Sequence, residues 1–463
     1  MKKAARVVFI PSPGVGHLVP TIEFAKLLIN HDERLWISVL VMDTTSAAYT
    51  ESLASQRLQF INLPESPSKS EPAMTSLLEQ QKPHVKQAVS NLISDDSAPA
   101  LAAFVVDMFC TTMIDVAKDL KVPSLVFFTS GLAFLGLMLH LHTLREQDKT
   151  HFRESQTHLL IPSFANPVPP TALPSLVLDK DWDPIFLAYG AGLKKADAII
   201  VNSFQELESR AVSSFSSHAI YPVGPMLNPN PKSHFQDDND RDILDWLDSQ
   251  PPSSVVFLCF GSKGSFGEDQ VREIARALQD SGLRFLWSLR KPPPSDSSFM
   301  AMPSDYLPSD FVEILPPGFL DRTAGIGKGI GWAPQAQILA HPATGGFVSH
   351  CGWNSTLESI YFGVPIATWP LYAEQQTNAF LLVRELNMAV EIALDYRVQF
   401  MAGPNTLLSA DKIQNGIRNL MDMDLDTKKR VKEMSEKSRT TSLEGGCSHS
   451  YLGRLIDYIM NQV

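Results

Sequence analysis

The chain has 463 residues, 44% hydrophobic and 19% charged, with a formal charge of −11. That length exceeds what one core serves, so two domains are expected, and the composition excludes a disordered or membrane-embedded chain. The negative balance argues against nucleic acid or an anionic membrane surface as partner.

The first strand, RVVFIPS, breaks its apolar run at Pro11, too short for the core of a signal peptide. It opens into PSPGVGHLVP, where Gly14 and Gly16 suggest a dinucleotide loop and Asp43 an acid for the ribose of NAD. That pattern fails at its third glycine, where Val19 stands, and His17 occupies the turn. Further strands are read at WISVLVMD, LQFINLP, LAAFVVDMF, SLVFFTS, ADAIIVNSF and AIYPVGP. Helices starting at Leu18, Thr45, Pro72, Thr112, Gly131 and Gln205 separate most of them, the rhythm of a parallel sheet covered on both faces. Asp107 ends the fourth strand, where an acid fits a core poorly. In a 3-2-1-4-5 sheet it would meet His17 at the carboxyl edge. The alternative, two unrelated polar loop residues, stays open at this point. His140 and His142 form a bare H-x-H in an apolar helix, weak ground for a metal.

Residues 227–240, polar and rich in Pro and Asp, read as a linker. A second rhythm follows: VVFLCFGS, a helix from Gly267, RFLWSLR, GIGWAP, GGFVSH and VPIATWP, with a Pro- and Ser-rich insert at residues 291–310. The end of the chain, YLGRLIDYIMNQV, reads as an amphipathic helix. No run of about 18 apolar residues indicates a membrane span. Four dispersed cysteines, Cys110, Cys259, Cys351 and Cys447, read as reduced thiols of a cytoplasmic protein.

The segment from Trp332 to Gln375 carries most of the chemistry. GGFVSH ends in His350 and runs into CGWNSTLESIYFG, with Asn354 and Ser355 at a helix start, Glu358 one turn inside and Gly363 at its end. Unpaired N–H groups and positive partial charge gather at a helix N-terminus. With an imidazole, an amide and a hydroxyl added, they make a diphosphate site. Asn or Ser there is usually only a cap. The neighbours change that reading: an aromatic for a base, Glu358 for ribose hydroxyls, Glu374 and Gln375 for a sugar.

WAPQ, HCGWNS, the following Glu and GVP, at this spacing, resemble the signature of plant secondary-product UDP-glycosyltransferases. The resemblance implies an α/β, GT-B fold: two doubly wound, Rossmann-like domains facing across a cleft. An acceptor domain over residues 1–240 and a UDP-sugar domain over 241–463 are implied, with the last helix, 448–463, packing back on the first. It further implies Trp332 stacked on uracil with Ala333 and Gln335 beside it. His350, Asn354 and Ser355, with Ser262 of FGSKGSF, would hold the diphosphate, and Glu358 the ribose. Trp353, Glu374 and Gln375 would read the sugar, with Thr129 touching it. The family often has Asp where Glu374 stands. Gln375 is what it usually carries with UDP-glucose. GHLVP and VVDMF match its catalytic His and orienting Asp, here His17 and Asp107. The acceptor pocket is expected at Phe109, Phe128, Phe134 and Met138, bordered by Ala373 and His17, and suited to a flavonoid or other phenolic.

The activity so implied is inverting, metal-independent transfer of glucose from UDP-glucose to a hydroxyl, without a cofactor, by a cytoplasmic monomer whose partners are small molecules. Three alternatives stand beside it: another UDP-sugar donor, a non-catalytic UDP-sugar binder, and a glycoside hydrolase using Asp107 and Glu374.

Overall fold

The computed structural model describes residues 4–42, 50, 52–64, 74–94, 98–148, 157–178, 182–215, 219–227, 238–294, 301–307, 309–398 and 406–463. Asp43, the helix expected from Thr45 and most of the expected linker lie outside them.

Two fully parallel sheets organise the chain. The first comprises β1 (Ala5–Ile10), β2 (Leu35–Val41), β3 (Leu58–Asn62), β4 (Ala100–Asp107), β5 (Ser124–Phe128), β6 (Ala198–Val201) and β7 (Ala219–Pro222). Its order is β3-β2-β1-β4-β5-β6-β7. The second comprises β8 (Val255–Cys259), β9 (Arg284–Ser288), β12 (Gly327–Ile330), β13 (Thr344–Ser349), β14 (Ile366–Thr368) and β15 (Ala389–Glu391), in the order β12-β9-β8-β13-β14-β15. Between β9 and β12 a two-residue hairpin, β10 (Arg290–Lys291) with β11 (Ser304–Asp305), forms within the expected Pro- and Ser-rich insert.

Continuous apolar runs form these strands because helices cover both faces of each sheet. Along β1, Ala5, Val7 and Phe9 enter one core, while Val8 and Ile10 enter another. Along β8, Val255 and Phe257 share that second core, and Val256 and Leu258 face a third. One core therefore runs between the two sheets. The last helix, Cys447–Met460, buries Leu452, Leu455, Ile456 and Ile459 against the outer face of the first sheet.

Several elements differ from the sequence reading. The helix Asp238–Asp248 starts inside the segment read as linker, β15 was not anticipated, and neither was the helix Asp183–Lys195. Among the described residues no helix is long and apolar enough to cross a membrane.

The carboxyl edges of the two sheets meet. Trp353, just after β13, donates its indole N–H to the carbonyl of Asn202, just after β6, at 2.6 Å. Thr377 donates its hydroxyl to the carbonyl of Ala172 at 2.7 Å, and Arg397 donates to the carbonyl of Thr171 at 2.7 Å. Ligands of doubly wound sheets bind at such edges.

Candidate active site

β1 and β4 are neighbours, with Ile10 opposite Val106, so the turns leaving them lie side by side. His17, in the first turn of the helix Val15–His31, places Nδ1 2.9 Å from Oδ2 of Asp107. Asp107 is 1% exposed, and Ser12 Oγ and the Phe109 N–H (3.0 Å) both donate to its Oδ1. A carboxylate held by these donors accepts from Nδ1–H of His17, which leaves Nε2 with its lone pair. Burial pushes the pKa of His17 down, but the charge and hydrogen bond of Asp107, with Glu374 adding, leave it raised; Lys263 pulls the other way.

Across the cleft, β13 runs through His350 into the helix Trp353–Phe362. Gly352 caps this helix without a side-chain hydrogen bond, and Gly363 ends it at φ 74°. Gly352 has no side chain to cap the helix, and the first N–H, that of Trp353, is taken by the Glu374 carboxylate, so it is the N–H groups after it that are available to an anion. Cys351, at φ 62°, makes the sharp turn that aims the helix. Burial lowers the pKa of His350 to about 4, so the ring is neutral near pH 7 and acts as a hydrogen-bond group, not a cation. A Cβ on Gly261 would lie 2.5 Å from its Nε2, and one on Gly352 2.4 Å, so both positions need glycine for the loop after β8 to close on the ring. Asn354 Oδ1 and His350 Nδ1 are buried without a protein hydrogen-bond partner.

Gln335 ties the next group together, donating to Ser355 Oγ at 2.9 Å and to Glu358 Oε2 at 2.7 Å. Burial raises the pKa of Glu358, and the Gln335 hydrogen bond opposes that. Ala333 is half-buried just before the helix Gln335–Ala340, while Trp332 is 52% exposed beside it. Ser262 is exposed at the loop after β8. Glu374, its pKa raised by burial, accepts from the Trp353 backbone N–H and feels the charge of His17. Ala373 precedes it at φ 55° and is exposed, a strained conformation for a residue with a Cβ.

Several of the residues expected to meet a ligand are engaged within the fold. The Trp353 side chain is 3% exposed and commits its indole N–H to Asn202, while its backbone N–H goes to Glu374. Gln375, 3% exposed, accepts from the backbone N–H of Leu371 (2.8 Å) and Tyr372 (3.0 Å) through its amide oxygen and also bonds the Tyr372 phenol. Thr129 Oγ1 lies 3.3 Å from His17 Nδ1 and donates to Met108 Sδ. Phe128 and Met138 are fully buried and Phe134 nearly so; they belong to the core, where apolar side chains of the helix Leu132–Asp148 pack on β5. Of the expected aromatic lining only Phe109 is open, 41% exposed and edge-on to His17 at 5.2 Å. Asp107, enclosed and bonded to His17, is not placed to attack a glycosidic bond. His142 packs against Gly190, with Nε2 3.1 Å from the Leu187 carbonyl and Nδ1 3.2 Å from Glu146; among the described residues no cluster of three or more His, Cys, Asp or Glu could hold a metal.

Sequence reasoning passed over Ser12, Lys263 and Tyr189. Ser12 sits in the quoted PSPGVGH turn and Lys263 in FGSKGSF, so both were within reach. Tyr189 lies on the unanticipated helix, with its ring 5.7 Å from Phe109 and its hydroxyl buried without a partner.

Comparison with known proteins gives the family and the fold. The family model for UDP-glucoronosyl and UDP-glucosyl transferase matches residues 222–401. UDP-glucose flavonoid 3-O-glucosyltransferase 6 of Fragaria ananassa is 50% identical over 99% of this chain and 99% of its own. The crystal structure of a UGT transferase from Siraitia grosvenorii in complex with UDP superposes with a TM-score of 0.89 at 45% identity, covering 98% of this chain and 100% of that one. A UGT of Medicago truncatula complexed with UDP-glucose gives 0.85 at 38%, with 99% of both chains covered. The resemblance read between Trp332 and Gln375 holds: the chain belongs to the family of UDP-glucuronosyl and UDP-glucosyl transferases and has the GT-B fold.

Proposed function

We propose that this enzyme transfers glucose from UDP-glucose to a hydroxyl of a flavonoid or similar phenolic, with inversion at the anomeric carbon. The observation that carries the reading is the His17–Asp107 pair, 2.9 Å apart, across the cleft from a helix N-terminus with glycine at its cap position. A phenol is a weak nucleophile, and His17 Nε2 removes its proton as attack proceeds. Asp107 holds the tautomer and stabilises the imidazolium, as the third member of a triad does. Attack from the face opposite the diphosphate turns an α-linked donor into a β-glucoside.

The leaving UDP is stabilised by the N–H groups of the helix Trp353–Phe362, by Asn354, Ser355 and neutral His350, and by Ser262. Uracil stacks on Trp332 beside Ala333 and Gln335, and Glu358 takes the ribose hydroxyls. Glu374, Trp353 and Gln375 read the sugar. Phe109 and Ala373 border the acceptor. Residues 1–240 then form the acceptor half and 241–463 the donor half, with no metal or cofactor in the reaction. A monomeric, cytoplasmic enzyme is part of the same reading; four free cysteines support the reducing compartment.

A panel of phenolic acceptors incubated with UDP-glucose, and separately with UDP-glucuronate, tests this by product mass. Acceptor plus one hexose is expected, with UDP-glucose preferred, since no arginine lies between Trp332 and Gln375 to pair a glucuronate carboxylate. A preference for UDP-glucuronate would overturn the donor assignment.

A further inference from the structure

The insert between β9 and β12 meets the donor site from below. Arg290, 9% exposed, lies with its guanidinium carbon 5.1 Å from the centroid of the Trp332 ring. Three acceptors fix its plane: Asp305 Oδ1 at 2.8 Å from Nε, the Pro303 carbonyl at 2.6 Å from Nη2, and the Ser304 carbonyl at 3.4 Å from Nε. All three acceptors belong to or adjoin β11, the return strand of the hairpin. The same strand touches the backbone that carries Trp332, because a Cβ on Gly331 would lie 2.4 Å from Cγ of Asp305. On the other side, Ser288 donates to the Gly331 carbonyl at 2.7 Å.

A hairpin of two residue pairs is marginal by itself, and a buried arginine is costly unless paired. Here the two needs are met together, and the product is a flat cation under an indole ring that is half open to the cleft. Guanidinium on an indole face is the favoured cation–π arrangement, and lysine does not reproduce its planar fork. An exposed tryptophan must give up rotamer freedom when a base stacks on it; a ring already held from behind gives up less.

We propose that Arg290, locked by Asp305, is a positioning residue for the donor's base. It holds Trp332 flat from the face opposite the uracil, so the insert serves as a buttress for nucleotide binding. The inference rests on the reading of Trp332 as the uracil platform.

The test is calorimetric titration of UDP into wild type, Arg290→Gln, Trp332→Ala and the double variant, with donor KM and kcat from the same preparations. Arg290→Gln should weaken UDP binding and raise the donor KM by about 2- to 30-fold. Turnover at saturating UDP-glucose should stay within about twofold. In the Trp332→Ala background Arg290→Gln should add no further loss, which a general effect on folding would not reproduce. Losses that multiply independently, or unchanged UDP affinity in Arg290→Gln beside a weakened Trp332→Ala, would overturn the inference and leave the platform reading standing. Unchanged affinity in Trp332→Ala would remove the platform reading and this inference with it. Should Arg290→Gln fail to fold, Asp305→Asn takes its place in the same cycle: a smaller loss that vanishes without Trp332 supports the proposal, and no loss contradicts it.

Discussion

At the scale of single residues, two histidines on opposite sides of the cleft are tuned in opposite directions. His17 is raised by Asp107 and must be neutral to accept a proton, so the rate should climb as pH rises through a value above that of ordinary imidazole. Asp107→Asn removes the charge that raises it, and the acid limb of the pH–rate profile should move to lower pH while turnover falls. His17→Ala should cost about 10²–10⁴ in turnover and leave UDP affinity, measured by calorimetry, unchanged, because His17 lies across the cleft from the diphosphate groups. For His350 the folded pKa, about 4, is below the ordinary 6.5. The unfolded chain then binds the proton more readily, so its contribution to stability is present above 6.5 and is lost as pH falls toward 4. Thermal unfolding across that window should show a shallower decline for His350→Gln than for wild type.

At the scale of elements, the helix Trp353–Phe362 links donor and acceptor sides. Its N-terminus lies at the cleft, and its first side chain spans the two sheets. Trp353→Phe keeps most of the ring but strands the buried carbonyl of Asn202, which costs about 1–3 kcal/mol. A lower urea midpoint would register that loss. The rigid approach of this helix also depends on Gly131, where a Cβ would meet the Trp353 ring at 2.8 Å and Glu208 at 2.9 Å. This helix and both sheets were legible in the sequence, since apolar runs, the His350–Ser355 cluster and Gly363 all carry local signals. What was not legible is which way side chains point. Trp353 and Gln375 sit where the signature puts them, but one indole and one amide oxygen are consumed by fold contacts. The three core residues Phe128, Phe134 and Met138 fill a helix–sheet interface that looks the same in sequence as a pocket lining. The helix carrying Tyr189 starts with Asp-Pro and has only a modest apolar stripe, so nothing marked it.

At the scale of the whole molecule, the two sheets place the His17–Asp107 pair and a helix N-terminus on facing edges, and in the proposed reaction fixed groups supply the positive potential that the leaving UDP requires. Full activity should therefore survive exhaustive EDTA treatment, with initial rates unchanged by added Mg²⁺ or Mn²⁺. The central claim is a direct displacement run by the His17–Asp107 pair. The measurement that reaches it most directly is the anomeric configuration of the glucoside formed from UDP-glucose and a phenolic acceptor, read by proton NMR as the product appears. The account predicts a β-glucoside from wild type, released with one UDP per glucoside, and almost none from His17→Ala. An α-glucoside, or an undiminished rate in His17→Ala, would contradict it.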